Sequence, residues 1–275
     1  GVRFEYIKTM SDGYYRNINT DAADNVILNE LIMTDEIRER QFILLGLGYS
    51  FKIVDWSEFY SNCSQNYRAV TFADINTINP NFIINPSISD ENGYTLDFGF
   101  RGKWKDIISY DVSSFYLFYN NRIGFIQRAF NDGSVKNEKG NIGDARILGQ
   151  EFSCNFNLVN ILKLPSKFRF NYFINNSFIN SEYIFSKENG VQGNDVEFVP
   201  KINLKTGLEL GFLNFKTSLQ YTFLSNQFTD ATNSIQSDLG GVIGEIPQYE
   251  ILDFSCAYML NNMQMEFGIN NLLNR

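Results

Sequence analysis

The run from Ile202 to Phe212 constrains the fold most, because apolar and polar residues alternate along it for about eleven residues. Leu204 and Leu208 fall in one column and Glu209 in the other, which is the period of a β-strand with two unlike faces. Strands of soluble proteins have about five or six residues. At about 3.3 Å per residue and a tilt near 45°, this run spans roughly 25 Å, the height of the apolar band of a transmembrane barrel. The run predicts a strand that crosses a membrane.

The closing stretch, Pro247 to Arg275, repeats this pattern as a hairpin. Every second residue from Leu252 to Leu260 is apolar or Cys, and the residues between them include polar ones. Two asparagines at 261–262 form a turn signal, after which every second residue from Met263 to Ile269 is apolar. The stretch therefore predicts two antiparallel strands that share one apolar and one polar face.

About eleven such strands are predicted along the chain, with short and long connections in alternation. Short turns are predicted near residues 55–56, 103–105, 165, 213–214 and 261–262. Long connections are predicted as an acidic loop at about 9–38, a loop at 66–92, an irregular excursion between strands 106–119 and 145–159, and loops at 184–198 and 226–246. Short periplasmic turns and long extracellular loops are typical of outer-membrane barrels. Trp56 and Trp104 fall in short turns, where an interfacial aromatic belt would place them.

The placement of charge separates a membrane barrel from a soluble β-sandwich. The apolar columns contain Phe98, Phe100, Phe168, Phe170, Tyr172, Leu204, Leu208, Leu210, Leu219 and Tyr221. The opposite columns contain Asp97, Arg101, Asp111, Glu151, Arg169, Lys205, Glu209, Asp253 and Glu266. A Lys or Arg at the bilayer midplane costs roughly 2–4 kcal/mol, so we expect the apolar columns to face lipid and the polar ones a wide lumen. The predicted fold is all-β, a transmembrane antiparallel up-and-down β-barrel.

The strand count and the chain ends indicate a partial barrel. Bacterial single-chain barrels have an even number of strands, whereas about eleven are predicted and both chain ends fall within an alternating pattern. We therefore expect a fragment that forms an open, curved sheet.

Composition excludes several other classes of function. The net charge of -8 argues against nucleic-acid binding, which requires basic patches. The chain has no His, the usual general base and commonest metal ligand, so neither an enzyme nor a cofactor or metal site is predicted. Cys154 and Cys256 fall in apolar columns, where a thiol behaves as a small hydrophobe. Asp12, Asp21 and Asp24 lack the ligand spacing of a calcium loop, so solvated charge is the preferred interpretation.

Four stretches carry a resemblance to a known family. They are NYRAVTFADIN (66–76), DARILGQEF (144–152), VPKINLKTGLELG (199–211) and the closing DFSCAYMLNNMQMEFGINNLLNR (253–275). The chain resembles the C-terminal half of TonB-dependent outer-membrane receptors, and INNLLNR resembles that family's penultimate-strand signature. With FTDATNS (228–234), the resemblance is greatest to the branch of ferric-citrate and siderophore receptors.

The resemblance implies a 22-stranded barrel in the bacterial outer membrane, filled by an N-terminal plug. It further implies import of an iron chelate, energised by the inner-membrane TonB complex through that plug. Residues 1–275 would then be one partial barrel domain that lacks the plug and the closing strand. The expected partners are the iron-chelate ligand, the TonB complex and outer-membrane lipid.

Arginines near the extracellular mouth are the candidate ligand-binding residues. A ferric-citrate complex is anionic and rich in oxygen, and a guanidinium can fork onto carboxylates. Arg68, Arg122 and Arg128 lie at or beyond the extracellular strand ends in the predicted topology. For each of them, a surface or lipid-headgroup contact is the competing interpretation.

Three other functions are compatible with parts of the pattern. A TonB-dependent importer of oligosaccharides or peptides would share the architecture, with aromatic stacking residues at the mouth. A passive porin would share the barrel, but the long loops and the family resemblance argue against it. A soluble β-rich binding module would have shorter strands.

Overall fold

A computed structural model describes residues 1–20, 23, 25–75, 82–129, 135–237 and 243–274 of the protein. The strands are β1 (Val2–Thr20), β2 (Val26–Val54), β3 (Ser57–Arg68), β4 (Phe82–Ile84), β5 (Glu91–Trp104), β6 (Ile108–Ala129), β7 (Val135–Asn157), β8 (Phe168–Ser186), β9 (Ile202–Phe212), β10 (Phe215–Leu224), β11 (Gln227–Phe228), β12 (Glu245–Ile246), β13 (Tyr249–Leu260) and β14 (Met263–Ile269). The helices are α1 (Phe72–Ile75) and α2 (Leu158–Leu162). Within the described ranges, no helix is long and apolar enough to cross a bilayer.

The long strands form one antiparallel sheet in up-and-down order. Its path runs β1-β2-β3-β5-β6-β7-β8-β9-β10-β13-β14, and β4 pairs with β7 in parallel beside this path. The predicted strand Ile202–Phe212 and the closing hairpin are confirmed with their turns. In the part of the chain that the structure describes, β1 and β14 do not pair with each other, so the sheet is open, as predicted.

The register confirms the predicted columns. Leu208 lies opposite Tyr172 and Leu219, whereas Glu209 lies opposite Asn171 and Ser218. Directly opposed residues point to the same side of a sheet. These strands therefore have an apolar side, which contains Leu208 and is called the outer face here. The polar side, here the inner face, contains Glu209.

Loop residues fold over the inner face at the end of the long connections. Ile147 and Tyr183 lie on that face, and both pack in a cluster with Val191 and Val196 from the β8–β9 connection. Tyr183, Val191 and Val196 are fully buried. The inner face is therefore apolar beneath these loops and polar farther down, a division that the predicted polar columns did not contain.

Aromatic residues on the outer face outline a membrane-sized band. Toward the short turns, one row crosses four strands through Phe168, Phe212, Phe215 and Tyr258. In β5, Trp104 ends the strand near this level and Tyr94 lies ten residues earlier, stacked with aromatic rings of β6. Ten residues rise about 33 Å, or roughly 23 Å at a tilt near 45°, close to the apolar band of outer-membrane barrels.

The predicted acidic loop at 9–38 is wrong. Instead β1 and β2 form a hairpin whose pairs run from Val2 opposite Leu45 to Ile18 opposite Asn29. Paired strands satisfy their backbone N–H and C=O groups within the ladder, so the hairpin can continue beyond the apolar band despite its charges. Of the residues weighed for calcium, Asp12 lies in β1, while Asp21 and Asp24 lie outside the described residues.

The predicted irregular excursion before Ala145 is also largely a ladder. β6 and β7 remain paired from Ile123 opposite Asn141 to Ala129 opposite Val135, after register shifts near Arg122. Such register shifts interrupt the regular alternation of side chains along the strand. That loss of period made this stretch resemble a loop.

Candidate functional site

The candidate site lies at the end of the long connections, where loops meet the inner face. The segment between β3 and β5 contains α1 and β4, and β4 pairs with the far part of β7. The segments on either side of β9 and β10 fold against the ends of β6 and β8. The sheet topology thus brings three long connections together with Arg68, Arg122 and Arg128.

Arg68 joins two buried carboxylates. Its guanidinium donates to Asp74 and to Glu91, each at 2.9 Å. The side chains of Asp74 and Glu91 are 3% and 5% exposed, while that of Arg68 is 44% exposed. Lys139 pairs with the same Asp74 at 2.6 Å, and Glu91 accepts from the backbone N–H of Ile123 at 2.6 Å. The cluster ties the β3–β5 connection to β6 and β7.

Two acidic residues anchor the same connection electrostatically. Burial raises the pKa of the Asp74 carboxyl, but hydrogen bonds from Lys139 and Thr71 outweigh burial and lower that pKa to about 2. Burial acts likewise on the pKa of Asp90, and donors including Arg40 at 2.6 Å lower it below its ordinary value. Both carboxylates are therefore ionised at neutral pH.

Arg122 lies beside the buried carboxyl of Glu197 and the buried phenol of Tyr183. The Tyr183 hydroxyl donates to Glu197 at 2.7 Å, with Glu197 only 4% exposed. Burial raises the pKa of the Glu197 carboxyl, which the charge of Arg122 and the hydrogen bond from Tyr183 partly offset. The guanidinium of Arg122 also lies 5.2 Å from the ring centroid of Tyr119, and its Nε is buried without a hydrogen-bond partner among the described residues.

Glu197 occupies space that a glycine provides. A Cβ on Gly124 would lie 2.1 Å from Glu197 Oε1, far inside any real contact distance. Only glycine lets the backbone of β6 come so close to the carboxylate. Gly124 therefore allows the β8–β9 connection to close over the inner face.

Arg128 belongs to a separate cluster. It bonds Glu138 and also donates to Glu188 at 2.9 Å. Glu138 in turn accepts from the side-chain amide of Asn85 at 2.7 Å, close to β4. The structure thus brings Arg68 near the Arg122 region through Glu91, but holds Arg128 with other partners.

Two long connections are joined by an asparagine–aspartate network. Asn194 donates to the backbone oxygen of Ala231 at 2.9 Å, and Asn233 donates to that of Asp195 at 2.9 Å. Asp230 is fully buried and accepts from the N–H of Thr232 at 2.9 Å. FTDATNS, singled out in the sequence, is therefore a turn held by its own aspartate.

The middle of the inner face is a polar groove. Tyr60 donates to Asp111 at 2.7 Å, and Ser153 donates to Asn175 at 2.7 Å. Lys205 lines the same groove, whose volume is about 400 Å³. In the described part of the chain, no group of three or more acidic or cysteine residues could hold a metal ion. The arrangement suits hydrogen bonding to a polar occupant.

The sequence singled out the arginines only as candidates, and it did not predict their acidic partners. Asp74, Glu91, Glu138 and Glu197 lie in or next to irregular connections, where no period reveals which side chains meet. The sequence did contain one usable signal. Asp74 follows Thr71 by three residues, which is a spacing at which a side chain can hydrogen-bond to the nearby backbone.

Comparison with solved structures shows this fold in known transporters. The ferric citrate transporter FecA matches 100% of this chain and 37% of its own length, with a TM-score of 0.71 and 21% identity. The ferric yersiniabactin uptake receptor FyuA from Yersinia pestis matches 100% of this chain and 37% of its own length, with a TM-score of 0.69 and 17% identity. The copper transporter OprC matches 100% of this chain and 40% of its own length, with a TM-score of 0.70 and 14% identity. The chain thus spans well under half the length of these proteins.

A family model decides the classification. The model described as "TonB dependent receptor-like, beta-barrel" matches residues 1–272, almost the whole chain. Receptors of this family are outer-membrane transporters and not enzymes. On that match, and with the open antiparallel sheet and its two unlike faces, this chain belongs to the TonB-dependent receptor β-barrel family.

Proposed function

We propose that this chain forms part of the barrel wall of a bacterial outer-membrane importer of ferric chelates, with ferric citrate or another siderophore as cargo. The inner-membrane TonB complex would energise import through a plug outside this chain. The family match over residues 1–272 carries the proposal. Further support comes from the ferric citrate transporter FecA and the ferric yersiniabactin uptake receptor FyuA, which have this fold.

The arginines offer a chemical route for capturing an anionic chelate. Arg68 and Arg128 are 44% and 38% exposed, so each guanidinium keeps an open side while paired with protein carboxylates. Their clusters are not net positive, since Arg68 and Lys139 face Asp74 and Glu91. A carboxylate ligand would therefore bind by joining or exchanging with these partners, with the planar fork providing the geometry.

Transport by the full-length receptor tests this proposal. Cells lacking their own ferric-chelate receptors would express it and be supplied with radioactive iron as ferric citrate or as a siderophore complex. We expect uptake that stops on loss of the TonB complex or on uncoupling. Copper uptake would be measured in parallel because OprC, which has the same fold, is a copper transporter. Energised uptake of copper, an oligosaccharide or a peptide in place of iron would reject the proposed cargo.

Single variants test the site. Arg68→Gln and Arg128→Gln should each weaken chelate binding by roughly tenfold or more, since a charge-assisted hydrogen bond contributes about 1.5–3 kcal/mol. Arg146→Gln is the matched control, because Arg146 pairs with Glu182 at 2.6 Å on the outer face. Equal affinity of all three variants would remove these arginines from the binding site.

A further inference from the structure

A second surface with distinct chemistry lies at the short-turn end, on the opposite side of the apolar band from the candidate site. The Nζ of Lys167 lies 5.7 and 5.4 Å from the ring centroids of Phe168 and Phe212, which belong to the aromatic row of the outer face. The Nζ of Lys105 lies 5.2 Å from the ring centroid of Trp104. At two places, a lysine ammonium is thus held over rings that face lipid.

These ammonium groups have no counter-ion among the residues that the structure describes. Among the described residues of the short connections, Lys103 pairs with Asp106 at 3.0 Å, whereas Lys105, Lys163 and Lys167 form no salt bridge. All three of the latter are exposed. In a chain of net charge -8, three unpaired cations along one rim are a local excess of positive charge.

The β7–β8 connection adds apolar side chains to the same rim. It contains α2 and exposes Ile161 at 43%, Leu162 at 57% and Leu164 at 37%. Lys163 ends α2 in a left-handed conformation, between two of these exposed leucines. Exposed apolar residues interleaved with lysines are typical of segments at the lipid interface.

We propose that the rim formed by Lys105, Lys163 and Lys167 with the aromatic row binds the headgroup phosphates of anionic phospholipid in the bilayer leaflet at the short-turn end. The inference rests on the proposed function only in placing the barrel in a bilayer. Aromatic rings set the depth of this rim at the interface, and the lysine stems extend along apolar surface so that each ammonium reaches the headgroups. Charge complementarity selects anionic over zwitterionic lipid because each lysine near an anionic surface adds to binding.

Lipid retention by the full-length receptor tests the proposal. The receptor would be placed in nanodiscs of equal parts phosphatidylglycerol and phosphatidylcholine. Native mass spectrometry would then count the lipids that remain bound to the receptor after it is released from the nanodisc. We expect the wild type to retain phosphatidylglycerol preferentially. The triple variant K105Q/K163Q/K167Q should lose about fivefold of this preference per lysine, on the order of a hundredfold in all.

Two further variants separate charge from other effects. K105R/K163R/K167R should keep the preference, and K136Q/K187Q/K201Q, the same charge change in the long-loop half, should leave it intact. A wild type that retains both lipids equally, or equal loss in both glutamine variants, overturns the proposal. Retention is independent of cargo, so failure to import a ferric chelate would reject the proposed function and leave this result standing.

Discussion

Replacing Gly124 by alanine tests how the loops close over the inner face. The added Cβ would lie 2.1 Å from Glu197 Oε1 and 3.0 Å from Ile142 Cγ1, so the Glu197 side chain must be displaced. Overpacking costs about 1–3 kcal/mol. The Tyr183 hydroxyl would lose its 2.7 Å hydrogen bond to Glu197, which costs about 1–3 kcal/mol for a buried group left unsatisfied. We expect the closed loop to lose about 2–6 kcal/mol in total.

Hydrogen exchange in the full-length receptor measures that loss. The amide of Val196 donates to the Ser181 hydroxyl at 3.1 Å and that of Phe198 to the backbone oxygen of Phe228 at 2.8 Å. Both report on loop closure, because local opening sets their exchange rates. At 1.4 kcal/mol per factor of ten, Gly124→Ala should raise those rates by about thirtyfold or more.

Two controls isolate the proposed overlap. Gly48→Ala places a Cβ 3.9 Å from its nearest neighbour, Asn62 Oδ1, and should leave exchange in the β8–β9 connection unchanged. Glu197→Ala removes the group that collides, so adding Gly124→Ala to that variant should cost much less than it does alone. Protection in Gly124→Ala equal to that in Gly48→Ala, or fully additive effects of Gly124→Ala and Glu197→Ala, would refute the reasoning.

Two further predictions concern the wall and the β3–β5 connection. Leu208→Arg should impair assembly of the full-length receptor into lipid vesicles by roughly 2–4 kcal/mol in folding free energy, while Glu209→Gln should have little effect, because only the first places a charge in hydrocarbon; equal folding yields would count against the assigned faces. Because the pKa of Asp74 is lowered from 3.8 to about 2, its ionised form contributes about 2 kcal/mol above pH 3.8, which is lost as pH falls through 2. Pepsin should therefore cut the segment 69–90 faster at pH 2 than at pH 4, relative to a denatured substrate. An Asp74→Asn variant should show a smaller pH dependence, because the lowered pKa of Asp90 still couples the same connection to pH.

Strand order and facing could be predicted because a β-strand repeats every two residues. The run Ile202–Phe212 shows this most clearly, since its alternation coincides with β9, although the predicted loop at 184–198 placed the start of the strand three residues earlier. The far part of the β1–β2 hairpin, predicted as a loop at about 9–38, was missed because acidic residues interrupt its apolar column. Backbone pairing extends the ladder beyond the membrane without needing apolar side chains.

The candidate site was predictable only in part. Arg68 could be found because it ends a strand, but its bonds to Asp74 and Glu91 depend on how a loop returns to the sheet. Glu197 packs against Gly124, although the two residues are 73 positions apart in the chain and lie in two segments that do not pair with each other. Contacts of that kind have no local period and become visible only in three dimensions.

Site-directed spin labelling along Ile202–Phe212 tests the central claim, that this sheet is a membrane wall with an outer lipid face. Each position would be labelled in turn in the full-length receptor in lipid, after Cys63, Cys154 and Cys256 are replaced by serine. Collision with dissolved oxygen, which concentrates in hydrocarbon, should peak at Leu204, Leu208 and the other even positions and fall at Lys205, Glu209 and the other odd positions. Absence of a period of two, or oxygen maxima at the odd positions, would contradict the account.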